Sequence, residues 1–137
     1  MVKDIVKDID ILKQKSVKAT NDEEINEVIR DLIDTANAHK DRCVGLSAIQ
    51  IGVPIRVCVV FDGNKFVPFV NPVIVKCGKK YIAEEGCMSL EGTRKVTRCN
   101  IVDVVYFKKK TFAKETYSGF TAQILQHELD HFDGKLI

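Results

Sequence analysis

The pentapeptide His127-Glu128-Leu129-Asp130-His131 constrains what this 137-residue chain can fold into more than any other feature. On a helix, imidazoles at i and i+4 point the same way and can share one metal ion, while Glu128, a step round, can reach a water on that ion without being a ligand. A polar helix face that happens to carry two histidines is the bland alternative. Against it, Phe120, Ile124, His127 and His131 fall on one helical stripe, while Leu125, Leu129 and Phe132 line the next. Two buried, unliganded imidazoles would also need partners of their own. Gly134 supplies the left-handed stop.

Two histidines do not hold a catalytic metal, so a third ligand has to be found. In the longer pattern H-E-x-x-H-x-x-G-x-x-H the third histidine would fall on Ile137, and the downstream glutamate of other zinc proteases would lie past the last residue, so the expectation is an upstream ligand. His39 ends an exposed-looking helix, Cys58 sits in an apolar run, and Cys77 and Cys99 have charged neighbours suggestive of the surface. Cys87 differs in its setting, Glu85-Gly86-Cys87-Met88-Ser89, where Gly86 permits a tight backbone path. Chemistry alone makes it only the leading choice, since a lone cysteine is more often a small hydrophobe.

The remaining chain reads as one domain, 1–137, with 45% apolar and 29% charged residues, enough for a single core. Thr20 and Glu23 form a capping-box signature before Ile25, Val28, Ile29, Leu32, Ile33 and Ala36, which predict an N-terminal amphipathic helix. Short β-rich runs follow at Ile55 to Phe61, Phe66 to Val75 and Ile101 to Phe107. Helix, strands, helix indicates an α+β domain, with antiparallel sheets packed around the C-terminal H-E-x-x-H helix. The formal net charge of +2 is too small to argue for direct nucleic-acid binding, and Lys108-Lys109-Lys110 reads as a solvated turn. Charges interrupt every apolar stretch, so neither a membrane span nor a secretory leader is expected, and the cytoplasm is the expected location. The five cysteines show no C-x-x-C spacing, which predicts reduced thiols rather than a disulfide framework.

Val44-Gly45-Leu46-Ser47-Ala48-Ile49-Gln50, then Glu85-Gly86-Cys87-Met88-Ser89, then Gln126-His127-Glu128-Leu129-Asp130-His131 resemble, in this order and rough spacing, the three signature motifs of the peptide deformylase family. The resemblance runs over nearly the whole chain. It implies a hydrolase that removes the N-formyl group from the initiating methionine of new polypeptides. It also implies that Cys87, His127 and His131 hold one divalent metal, ferrous iron in the native state, with zinc, nickel or cobalt as alternatives. Glu128 would be the general acid/base, and the Gln50 amide and the Met88 backbone N–H would face the developing oxyanion. Phe120 and Ile124 are candidates for the wall of the methionine pocket, with core packing as the competing reading, and Val44 and Gly45 would offer backbone contacts. The implied partners are formyl-methionyl peptides and nascent chains and, transiently, the ribosome.

The chain departs from the family pattern at several positions. Cys43 and Ser47 stand where glycine and alanine are usual, Met88 and Phe132 replace leucines, and only Asp133 to Ile137 follow the metal helix, so ribosome docking through a terminal extension is not implied. These changes motivate two rivals: a catalytically degenerate formyl-peptide or nascent-chain binding module, and an amidase acting on another small acyl group. The intact set Gln50, Cys87, His127, Glu128 and His131 argues against the first, since a binding module has no evident need of Glu128. A purely structural zinc site would want four protein ligands where only three can be assigned.

Overall fold

Val57-Cys58-Val59-Val60 is apolar at every position, so a strand here must be covered on both of its faces. The computed structural model, which describes residues 1–136, does this by sandwiching a sheet between helices. Ile137, the residue against which a third histidine was counted, lies outside the described residues. The elements are α1 (Ile9–Leu12), α2 (Asp22–Ala38), β1 (Gly45–Ser47), a 3-10 turn (Ala48–Ile51), β2 (Val57–Phe61), β3 (Phe66–Cys87), β4 (Leu90–Lys108), β5 (Thr111–Ser118) and α3 (Gly119–Phe132). The strands form one antiparallel sheet in the order β1-β2-β3-β4-β5. Val57 and Val59 join Leu46 and the buried face of α2 in one core, whereas Cys58 and Val60 join Phe69, Val102, Val104 and the apolar side of α3 in the other. The α+β class and the packing of both amphipathic helices follow the reading of the sequence.

Several boundaries differ, each for a local reason. Helix α2 is capped by Asn21, whose side chain accepts from the Glu24 N–H, rather than by the expected Thr20–Glu23 box. The separate strand runs seen in the sequence are parts of a much longer β3–β4 hairpin, and what was expected as several sheets is one. Shifts in register near Val70, Ile74 and Gly86 let the long hairpin bend. Such bends break the two-residue alternation that makes a strand legible. Lys109 and Lys110 form the β4–β5 turn with φ of 48° and 67°, as their run suggested. At the end of α3, Gly134 (φ 73°) donates to the His131 carbonyl while Lys135 donates to that of Asp130, a Schellman closure. No helix among the described residues is long and apolar enough to cross a membrane.

The expectation of five reduced thiols is overturned. Cys77 and Cys99 form a disulfide between β3 and β4, their Cα atoms 5.6 Å apart. Cys99 is buried despite its charged neighbours, because it faces the core under α3. A separation of 22 residues hides this pairing until the hairpin brings the strands together. Alkylation in denaturant should therefore modify three thiols before reduction, Cys43, Cys58 and Cys87, and all five after it. Reduction should lower the unfolding free energy by about 3 kcal/mol for a loop of this size. Five reactive thiols without reductant would contradict the pairing.

Candidate metal centre and active site

Helix α3 packs on the sheet against β1, β2, β4 and β5. Its His127, Glu128 and His131 are buried there, facing the hairpin's Cys87. The Cys87 Sγ is 3.4 Å from His131 Nε2, and the ligand atoms of Cys87, His127 and His131 all lie within 4.8 Å of one another. A tetrahedral ion with metal–sulfur and metal–nitrogen bonds of about 2.3 and 2.05 Å separates those ligands by about 3.6 Å, so this donor set fits one divalent ion. His127 Nδ1 lies 2.9 Å from Glu85 Oε1. A proton on Nδ1 donated to that carboxylate leaves Nε2 free for a metal. His131 Nδ1 is buried with no hydrogen-bond partner, so its Nε2 is the nitrogen turned to the shared position.

Glu85 is the pivot of this arrangement. It stands two residues before Cys87, and both line the cleft. Arg98 of β4 donates to it twice, from Nε at 2.9 Å and Nη2 at 2.7 Å, and reaches Asp130 of α3 with Nη1 at 2.7 Å. Burial alone would raise the Glu85 pKa, but the His127 and Arg98 hydrogen bonds prevail and hold it down at about 2. Burial likewise works against protonation of His127, yet hydrogen bonds to Cys87 and Glu85 push it up to about 10, while burial and the positive charges of His127 and Arg98 hold His131 near 3.

Glu128 is 3% exposed, and burial raises its carboxyl to about 6 against the lowering influence of His127 and Ser47. Gly45 and Ser47, alternate residues of β1, face it together. A Cβ on Gly45 would lie 2.6 Å from Ile124 Cγ2 and 2.7 Å from Glu128 Oε2, so any larger residue must displace these side chains. Gln50 is not an ordinary loop amide: it is 1% exposed within the 3-10 turn. Its Oε1 accepts from the Ser47 N–H at 2.9 Å, which aims Nε2 at Ser89 Oγ (3.1 Å) and Cys87 Sγ (3.5 Å).

Beside these groups opens a cleft of about 600 Å³, lined by Val44, Gly45, Gln50, Cys87, Met88 and Glu128, among others. Phe120 and Ile124 also line it, but differently. Phe120 is 62% exposed at the cleft, which excludes plain core packing, while Ile124 belongs to both the cleft and the core under α3. The candidate ligands Cys87 and His127, with Glu128, Gln50, Met88, Val44, Gly45, Phe120 and Ile124, thus all line this cleft, while His131 is fully buried beside it. The sequence assigned no role to Glu85, Arg98, Asp130 or Ser89. Glu85 could have been found from its two-residue spacing to Cys87. Arg98 carried no local signal. Cys43 is buried, its thiol donates to the Gly45 carbonyl at 3.3 Å, and burial and Glu128 push it up to about 12, so it is an unreactive neighbour of the site.

Three residues that could hold one metal ion, next to a buried carboxylate and an open cleft, are the arrangement a metal-dependent hydrolase requires. The comparisons narrow this. Residues 2–137 match the polypeptide deformylase family. The chain is 50% identical to the peptide deformylase of Clostridium beijerinckii over the full length of both. The crystal structure of peptide deformylase from Thermotoga maritima superposes with a TM-score of 0.91 at 30% identity, covering 99% of this chain and 95% of that one. A class I type b peptide deformylase from Acinetobacter baumannii, solved with Met-Ala-Ser bound, gives 0.88 at 27% identity, covering 99% and 97%. The chain belongs to the polypeptide deformylase family.

Two expectations follow from the geometry. Because His127 holds a proton to about pH 10 in the metal-free protein, metal uptake at neutral pH must expel at least that proton. Calorimetric titration with zinc in buffers of different ionisation enthalpy should show release of one proton or more, with affinity rising as pH rises; uptake without proton release would contradict the assignment. Gly45→Ala should leave the protein folded but lower turnover about tenfold or more, by displacing Glu128 and Ile124. Unchanged turnover would mean that the site tolerates the displacement.

Proposed function

We propose that Cys87, His127 and His131 hold one divalent ion, ferrous iron in the native protein, and that Glu128 is the general acid/base of deformylation. As a member of its family the chain is a hydrolase that removes the N-formyl group from newly made polypeptides. The observation that carries the residue assignment is the juxtaposition of Glu128, buried in the cleft wall, with the three converging donors. When bound, the ion supplies a Lewis acid that acidifies water and polarises the formyl oxygen.

The chain's own groups do the rest. Glu128 accepts a proton from the attacking water and returns one to the departing amine, so that the formyl C–N bond breaks into formate and a free α-amine. One Gln50 amide hydrogen is held by Ser89, and the other, whose contact to Cys87 is long, is available to a formyl oxygen alongside the Met88 N–H. Burial of Glu128 keeps its carboxyl near neutrality, where a shuttle both takes and gives a proton well. The methionine side chain would lie against Phe120 and Ile124, with the peptide backbone along Val44 and Gly45. The neighbour carrying bound Met-Ala-Ser supports a methionine-first peptide as the ligand of this cleft.

Glu128→Gln keeps size and hydrogen bonding but cannot take the proton. Metal should remain near one per chain while turnover of a formyl-Met peptide falls by about 10²- to 10⁴-fold. Undiminished turnover would remove Glu128 from the mechanism, and loss of metal together with activity would make it a ligand. Against a panel of N-acyl methionyl peptides, the formyl substrate should be preferred over the acetyl one.

A further inference from the structure

Glu128 has two carboxylate oxygens, and proton shuttling needs one of them free and well aimed. Oε1 is engaged: the Ser47 hydroxyl lies 3.0 Å from it and 2.9 Å from the backbone carbonyl of the same Glu128. Ser47 is 0% exposed and is not among the residues lining the cleft, so it grips the carboxylate from behind. On the other side Oε2 rests against the bare backbone of Gly45 at the cleft. Ser47 is itself fixed, because it belongs to β1, paired with Cys58, and its N–H is held by Gln50 Oε1.

A hydroxyl has one hydrogen to give and lone pairs to receive, and both acceptors beside it belong to one residue. When Glu128 is a carboxylate, the Ser47 hydrogen serves Oε1. When Glu128 holds the transferred proton on Oε2, at the cleft, Oε1 is a carbonyl oxygen and still accepts the Ser47 hydrogen. The contact therefore survives both stages of the cycle without moving either side chain. Ser47 stands where the family's first motif usually has alanine, which could offer neither interaction.

We infer that Ser47 is a positioning residue that clamps Glu128 by Oε1, leaving Oε2 to face the reacting groups in the cleft. The inference rests on the proposed role of Glu128. It acts through orientation, so it should affect the chemical step and not substrate capture. Ser47→Ala removes one hydroxyl from a buried site and adds no bulk, so folding and metal content should persist. Turnover of a formyl-Met peptide at saturation should fall about 10- to 150-fold, the range for a lost hydrogen bond to a charged group, with KM unchanged.

The test is a double-mutant cycle of Ser47→Ala and Glu128→Gln, with metal content and KM measured for each protein, alongside a crystal structure of the metal-free Ser47→Ala variant. If Ser47 acts through Glu128, its replacement lowers kcat in the wild-type background and has no further effect in Glu128→Gln. In the crystal the Glu128 carboxylate should then occupy more than one orientation. An unchanged kcat, an equal loss in both backgrounds, or an undisturbed carboxylate in the variant would overturn the inference. Full activity of Glu128→Gln would overturn the acid/base reading itself, which separates the two failures.

Discussion

The buried ion pair between Arg98 and Glu85 is the constraint on which the rest of the site depends. It ties the two strands of the long hairpin together just before Cys87, and through Asp130 and His127 it fastens that hairpin to α3. Burying such charges carries a desolvation cost that their attraction need not exceed, so the pair is weak evidence for net stability. Its value is positional. A carboxylate that must satisfy Arg98 and His127 at once has few places to sit, and each of them fixes His127 relative to Cys87. Removing one partner would leave a buried charge only partly compensated, Arg98 by Asp130 or Glu85 by His127.

Around this joint, two cores share one sheet. Because β2 is apolar on both faces, α2 and α3 can pack from opposite sides and still meet at β1. That short strand is where fold and chemistry coincide. Its Leu46 faces the α2 core, while Gly45 and Ser47 face Glu128, one by lacking a side chain and the other by binding a carboxylate oxygen. Gln50, one turn on, is aimed by the Ser47 backbone at Cys87. Regular elements, not flexible loops, thus position the carboxylate, the amide and the Cys87 sulfur, which suits a reaction that depends on near-contact geometry.

How much was legible in the sequence follows from how local each signal is. The H-E-x-x-H spacing and the stripe beneath it are contained within one helix, so His127, Glu128 and His131 could be read directly. Cys87 could be ranked first but not chosen by chemistry alone; the three motifs together selected it, and the structure brings it within reach of both histidines. Arg98 and the Cys77–Cys99 bond were invisible because they depend on the register of a hairpin whose bends disguise its length. Ser47 was visible only as a departure from a motif. Its meaning appeared when β1 was laid beside α3, a contact between residues 81 positions apart.

The central claim is that one ion is held by the thiolate of Cys87 and the imidazoles of His127 and His131. X-ray absorption at the metal edge of the protein loaded with one equivalent of cobalt or zinc tests it most directly. The account predicts one sulfur at about 2.3 Å, two imidazole nitrogens at about 2.0–2.1 Å and one further light atom in the open position. A first shell without sulfur, or one with the same sulfur signal after Cys87→Ala, would contradict it.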